Sequence, residues 1–317
     1  MTTPAMAPRV QRWEASAADA GQRIDNFLLR RLKGVPRSVI YRILRSGEVR
    51  VNSGRVAPAY RLEAGDVVRV PPVRVAAERP AGTPEPGLVR RLADAVLHED
   101  DRLIVVDKPS GVAVHGGSGL SLGVIEALRA MRPDERELEL VHRLDRDTSG
   151  CLMLAKRRSA LRLLHELQRE GRIEKRYLAL LAGRWERDRV DVDVPLRKNV
   201  LQGGERMVHV SADGKPAITR FRVLSRFADS TLVEARLVTG RTHQIRVHAA
   251  HLGTPVLGDP KYGDGAANAR YRERGLRRLF LHAASLTVRW PGDEPPLRVS
   301  APLDVTLQGI LEGLETK

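Results

Sequence analysis

The sequence predicts an α+β protein: a small helix-helix-hairpin unit followed by a larger domain on a mixed or antiparallel sheet with flanking helices. Three observations carry that expectation. Two short amphipathic helical stretches and an Asn-Ser-Gly turn lie close together near the N-terminus. Many short apolar runs mark the later chain without regular strand-helix alternation, which disfavours a Rossmann-type sheet. A stretch rich in Ala, Pro and Gly separates the two regions.

In chain order, residues 1–20 read as an N-terminal tail with no assignable element. Residues 21–75 form the small unit. In "RIDNFLLRRLKG", Ile24, Phe27, Leu28 and Leu32 share one helical face and Arg30, Arg31 and Lys33 turn elsewhere. "VPRSVIYRILRSG" is a second helix, with Pro36 in its first turn and Gly47 at its end. Val39, Ile40, Ile43 and Leu44 form its buried face, leaving Arg37, Arg42 and Arg45 outside. "EVRVNSGRV" reads as a hairpin turning at Asn52-Ser53-Gly54, and "GDVVRV" adds a strand. Residues 76–88 read as a semi-rigid linker. Residues 89–317 make the second domain, with strands in "DRLIVVDKP", "GCLMLAK", "RYLALLAGRW", "DSTLVEARLVTG" and "RLFLHAASLTV". "SALRLLHELQREG" is a helix, apolar at Leu161, Leu164 and Leu167.

Composition narrows the class. In 317 residues, 54 Lys and Arg against 39 Asp and Glu leave +15, an electrostatic argument for a polyanionic partner. Residues 21–75 hold twelve Lys/Arg and four Asp/Glu, so about half of that excess sits in a sixth of the chain. A single cysteine, Cys151, excludes an intramolecular disulfide and a cysteine-based metal cluster. No apolar run approaches the ~18 residues of a membrane span, and the N-terminus lacks a secretory apolar core, so the cytoplasm is expected. Aromatic residues at 4% argue against reading single strands mainly by stacking.

Chemistry concentrates in "LVHRLDRDTSGCLMLAKRRSA", residues 140–160, where a polar knot precedes an apolar strand. Asp145 lies between Arg143 and Arg146, cations that favour an ionised carboxylate. Alone, this knot fits a structural ion-pair turn as readily as a site. "LVTGRTHQIRVHAAH" offers Arg241 after a glycine, with Thr242, His243, Gln244 and Arg246 as further donors. His243, His248 and His251 are spaced five and three apart, unlike a zinc-hydrolase pair, so a metal site is rejected. Tyr177 in "EKRYLALLAG" reads alone as a core or edge tyrosine. "GDPKYGDG" is a Gly/Pro turn, "LFLHAASL" a buried strand, and the basic "AANARYRERGLRRL" between them a candidate contact loop for a polyanion.

In combination these segments are similar to a known set. The unit at 21–75 resembles the S4 RNA-binding domain. "HRLDRDTSG", "EKRYLAL", "TGRTHQIRVH", "GDPKYG" and "LFLHA" stand in the order and spacing of the RluA family of large-ribosomal-RNA pseudouridine synthases. "DDRLIVVDKPSGVAVHGGSG", "LGVIEALRAMRP" and "LLHELQREG" extend the likeness, which runs from about residue 20 to about 310. Cys151 stands where such enzymes carry an aliphatic residue.

The resemblance implies an isomerase that converts uridine to pseudouridine in 23S ribosomal RNA, at three separate uridines in the most similar subgroup, without metal or redox cofactor. It implies Asp145 as the essential carboxylate, acting as nucleophile or as base on a ribose proton. Arg241 would be its ion-pair partner. Tyr177 would stack on the uracil and assist proton transfer at C5, and Leu281 would wall the pocket. Arg143 would enter the helix that the target nucleotide leaves. Arg37, Arg42 and Arg45 would contact RNA, and the enzyme would act as a monomer. The same chemistry on another ribosomal or transfer RNA site is one alternative, and a non-catalytic RNA-binding assembly factor is the other.

Overall fold

A computed structural model describes residues 9–32, 35, 37–73, 86–116, 123–135, 137–200 and 206–314. The chain divides into two compact units, Met1–Gly82 and Thr83–Lys317. Most of the linker expected at 76–88 lies outside the described residues. Its last three residues, 86–88, instead open the helix α3 (Pro86–Ala93), where Leu88 and Leu92 are buried. Proline at a first helical position loses no intrahelical bond, so the Pro-rich composition had masked a helix start.

The small unit is built on β1 (Gln11–Glu14), α1 (Ile24–Arg31), α2 (Arg37–Arg45), β2 (Arg50–Val51), β3 (Gly54–Arg55) and β4 (Val67–Val70), with strand order β1-β4-β2-β3. Ile24, Phe27, Leu28 and Leu32 meet Ile40, Ile43 and Leu44 in one core with Val51, Val68 and Val70. The hairpin turns at Asn52 and Ser53, whose φ of 48° and 68° give the left-handed pair that a tight two-residue turn needs. Residues 11–20 are not a tail. β1 pairs along β4, Trp13 packs edge-on against Phe27 at 6.2 Å, and the buried Asp19 takes Arg30 at 2.5 Å. The segment escaped sequence reading because β1 is an edge strand with one half-buried aromatic among exposed residues.

The large unit carries a ten-stranded sheet, with main order β10-β13-β14-β9-β15-β8-β6-β5. In chain order its elements after α3 are β5 (Val96–Glu99), β6 (Leu103–Lys108), α4 (Val124–Met131), β7 (Glu139–Leu140), β8 (Ser149–Ala155), α5 (Arg158–Arg169), β9 (Ile173–Ala182) and β10 (Arg189–Asp193). Then come β11 (Leu196–Val200), β12 (Arg206–Val210), β13 (Ile218–Arg226), β14 (Ser230–Leu237), α6 (Gln244–His251), α7 (Gly265–Glu273), β15 (Leu281–Val288), β16 (Leu297–Ser300) and α8 (Val305–Glu312). β7 pairs β8, β16 pairs β15, and β11-β12 stand apart as a ribbon. All pairings are antiparallel except β15 with β8, so the sheet is mixed.

β8 is buried along its whole length because both faces are covered. Its alternation sends Leu152 and Leu154 into one core, with Leu88 and Leu92 of α3 and Leu128 of α4. Cys151, Met153 and Ala155 enter a second, with Leu164 and Leu167 of α5 and Trp290. Burial pushes the Cys151 thiol up to about 12, so this residue is a small core hydrophobe and not a nucleophile.

The parallel contact of β15 with β8 is short, His282 opposite Ser149 and Ala283 opposite Gly150. Gly150 has φ +104°, and a Cβ there would overlap the Ala283 backbone. Gly150→Ala should therefore destabilise the large unit by about 1–3 kcal/mol, read as a lower urea midpoint. An unchanged midpoint would show that the two strands separate at no cost.

Candidate active site

Asp145 sits in the loop between β7 and β8, and its position follows from how that loop is tied. Lys108, at the end of β6 and fully buried, donates through Nζ to the carbonyls of Pro109, Val112 and Arg146 at 2.8, 2.8 and 2.9 Å. Burial pulls its ammonium down to about 7, against the charges of Asp147 and Asp145. Gly111 N–H also donates to the Arg146 carbonyl at 2.9 Å, and Ser110 Oγ to the Asp147 carbonyl at 2.7 Å. At the loop's end Ser149 Oγ donates to His282 Nδ1 at 2.8 Å and accepts from Arg278 at 2.6 Å. The segment 108–112 and strand β15 thus hold the carboxylate from both sides.

Asp145 opens on a cleft of about 480 Å³. Arg143, Tyr177, Arg241 and Leu281 line the same cleft, so every catalytic residue expected from sequence is brought to one place. Tyr177 reaches it from β9, and two residues earlier on the same strand face Lys175 does too. Leu281, opposite Ala179 in the β15-β9 pairing, supplies an apolar wall and is 3% exposed. Burial, then the charge on Asp145, raises the Tyr177 phenol well above its usual value, so it is protonated at neutral pH. Burial alone pulls Lys175 down to about 8, with Nζ 3.3 Å from Gln168 Oε1.

The ion pair differs from the expectation. Arg241 lies exposed, donating through Nε to the Pro216 carbonyl at 3.0 Å. The partner of Asp145 is Arg246, whose Nη1 lies 3.3 Å from Oδ2. Arg246 is 5% exposed and also forks onto Asp259, Nε and Nη2 donating at 2.7 and 2.8 Å. Burial works against its charge, but Asp259 and then Asp145 outweigh that and raise it. Asp259 answers in kind. Burial favours its neutral form, yet Arg246 and the backbone N–H groups of Lys261 and Tyr262 hold it below the usual carboxylate range.

His243 explains the exchange of arginines. It caps α6 in the left-handed region, φ 54°, so the chain turns sharply between Arg241 and the helix. Arg241 precedes that turn, while Arg246 falls on the first helical turn facing inward. His243 Nδ1 accepts from Tyr262 Oη at 2.8 Å, which leaves Nε2–H toward Asp145 at 3.8 Å. Burial lowers its pKa despite Asp145, so this is a neutral imidazole. In the sequence Arg246 stands among several donors, and Asp259 within a Gly/Pro turn. The helical spacing of His243 and Arg246, three apart, was the available signal. His248 bonds Thr219 Oγ1 and the Val194 carbonyl at 2.9 and 3.2 Å.

In the small unit, Arg42 and Arg45 lie exposed on α2, Arg42 pairing with Glu48 at 3.1 Å. Arg37 belongs to the first turn of α2, and its side chain lies outside the described residues.

Histidines near the site set an acid limit. Burial pulls His142 down to about 3 and lowers His115, His243, His248 and His282. Unfolded histidine titrates near 6.5, so below that pH the unfolded chain takes protons the folded chain refuses. Stability is full above pH ~6.5 and falls below it, by up to about 1.4 kcal/mol per pH unit for each group still neutral. Unfolding in urea at pH 7.5 and pH 5 should show the loss, and equal midpoints would contradict it.

Comparison with known proteins gives the family of the chain. Residues 102–251 match the family described as RNA pseudouridylate synthase, and residues 22–68 match the S4 domain. The chain is 56% identical over 313 residues to a Salmonella typhi protein named ribosomal large subunit pseudouridine synthase C, covering 98% of each. It is 57% identical over 310 residues to the Escherichia coli K12 protein of that name, covering 97% of each. Among solved structures, human RNA pseudouridylate synthase domain containing 4 superposes with a TM-score of 0.60 at 29% identity, over 72% of this chain and 97% of that one.

Proposed function

Because the chain belongs to the RNA pseudouridylate synthase family, we propose that it isomerises uridine to pseudouridine in large-subunit ribosomal RNA, specifically in 23S RNA at three uridines. The observation that carries the site is the convergence of Asp145, Arg246, Tyr177 and Leu281 on one cleft.

The reaction breaks the N1–C1′ bond of the target uridine, turns the freed uracil, and joins C5 to C1′. The C5 hydrogen leaves as a proton and N1 takes up a proton, so atoms and electrons balance without an added reactant. Asp145 is the carboxylate that starts it, by attack or by removing a ribose proton. Arg246, anchored by Asp259, orients that carboxylate and balances its charge. The Tyr177 ring and Leu281 make an apolar slot in which a detached uracil turns without loss to solvent. As a protonated phenol, Tyr177 donates a hydrogen bond to the base. Arg143, exposed at the cleft and without an ion pair among the described residues, fills the space the flipped nucleotide leaves. Arg241 takes a backbone phosphate at the rim. In the S4-like unit, the exposed Arg42 and Arg45 bind phosphates of the same RNA.

Tritium release from unmodified 23S RNA labelled at uridine C5 tests this reading, since C5 must lose its hydrogen when the new bond forms. Release, followed by mapping of three positions, is the expected outcome. Release from transfer RNA alone would change the substrate. Binding without release on either RNA would make the protein an assembly factor.

A further inference from the structure

A second cleft, of about 490 Å³, opens on the other side of the Asp145 loop. One wall is Ser110, Gly111 and Asp147, the segment tied to the catalytic loop. The other is the basic segment from α7 to β15, carrying Arg272, Arg277 and Arg278. The proposed chemistry uses none of these arginines.

The structure sorts the cations of this segment by what they already hold. Arg270 and Arg274 pair with Asp229 at 3.8 and 3.2 Å, and Arg274 lies over the Tyr271 ring at 4.8 Å. Arg278 is half-buried and occupied by Asp304 and Ser149. Arg272 and Arg277 are exposed, and neither makes a side-chain hydrogen bond or ion pair among the described residues. Both line the cleft. Its base is rigid. Asn268 ties α7 to the 258–260 loop, accepting from Gly258 N–H at 2.8 Å and donating to the Asp259 carbonyl at 2.9 Å. Gly258, at φ +75°, lets that loop pass against the Arg278 carbonyl, where a Cβ would overlap.

Two uncommitted guanidiniums therefore face a wall that bears one carboxylate, Asp147, two residues from Asp145. A ribonucleotide offers a matching pair of groups: a phosphodiester for the guanidiniums and a ribose 2′-hydroxyl that donates to a carboxylate. We propose that this cleft binds the sugar-phosphate backbone of nucleotides adjoining the target uridine, with Arg272 and Arg277 on the phosphates and Asp147 on a 2′-hydroxyl. The inference rests on the RNA-modifying function proposed above and adds a subsite to it. An acidic peptide would engage the arginines but would meet Asp147 as a like charge.

The test compares Arg272→Gln/Arg277→Gln with Arg270→Gln/Arg274→Gln in the full chain, measuring 23S RNA affinity against salt and single-turnover tritium release. The first pair should weaken binding roughly tenfold or more. It should also lower the salt slope by about 0.7 for each phosphate that is no longer neutralised, with the effect falling on Kd and KM. Replacing the 2′-hydroxyl by hydrogen in the nucleotides flanking the target should weaken wild-type binding but add little to the deficit of the first pair. Unchanged affinity and slope, or an equal deficit in the Asp229-facing pair, would overturn the inference. If wild type itself released no tritium from any RNA, the functional reading would have failed; release by wild type with full affinity in the Arg272/Arg277 variant would sink the subsite alone.

Discussion

Asp145→Asn should lower tritium release by more than about 10³-fold while leaving affinity for 23S RNA within about threefold of wild type. The amide keeps the shape of the carboxylate and can still accept from Arg246, so the loop and its ties to Lys108 and Ser149 persist. What is lost is the negative charge, and with it a nucleophile or base. Measured together, single-turnover release and RNA affinity separate chemistry from binding. Turnover near the wild-type rate would remove Asp145 from the mechanism, and a parallel fall in affinity would make it a binding group.

Arg246→Met should have the largest effect on stability, about 3–5 kcal/mol. It leaves Asp259, whose side chain is 0% exposed, without the guanidinium that holds it ionised, and strips Asp145 of its partner. Turnover should fall as well. Stability loss alone could account for that, so the informative variant is Arg246→Met with Asp259→Leu. Removing the orphaned charge should recover much of the urea midpoint, because an apolar pair can fill the site of a buried ion pair. Activity should stay low because Asp145 remains unpaired. Recovery of both would mean that Arg246 serves only the fold.

Local patterns were legible and long-range choices were not. The seam of Ile24, Phe27, Leu28, Ile40 and Ile43 repeats at helical spacing, and Asn52-Ser53 has a conformational reason to turn. The apolar runs that became β6, β8, β9, β14 and β15 could be read directly. Strands β10 to β13 were not seen, since exposed charged residues interleave them and β11-β12 form a small ribbon. Tyr177 and Leu281 were placed through the motifs that contain them. Arg241 was assigned where Arg246 acts because both stand within six residues, and only the left-handed His243 decides which one turns inward. Asp259 stands in "GDPKYG", which by itself reads only as a turn: its meaning lies in a guanidinium thirteen residues away that also reaches back 101 residues to Asp145.

The parallel seam between β8 and β15 also bears on when the enzyme comes into being during synthesis. Ser149 and its partner His282 are 133 residues apart, so the far anchor of the Asp145 loop does not exist until translation has passed Ala283. Before then a nascent chain carries the whole "HRLDRDTSG" segment with β6 and β7 available to pair β8 but with β15 not yet made. Closing so wide a separation is slow relative to local hairpins. The small N-terminal unit, in contrast, has all its strands by residue 70 and is free to fold first. A growing chain would thus acquire an RNA-binding surface well before it acquires an active site.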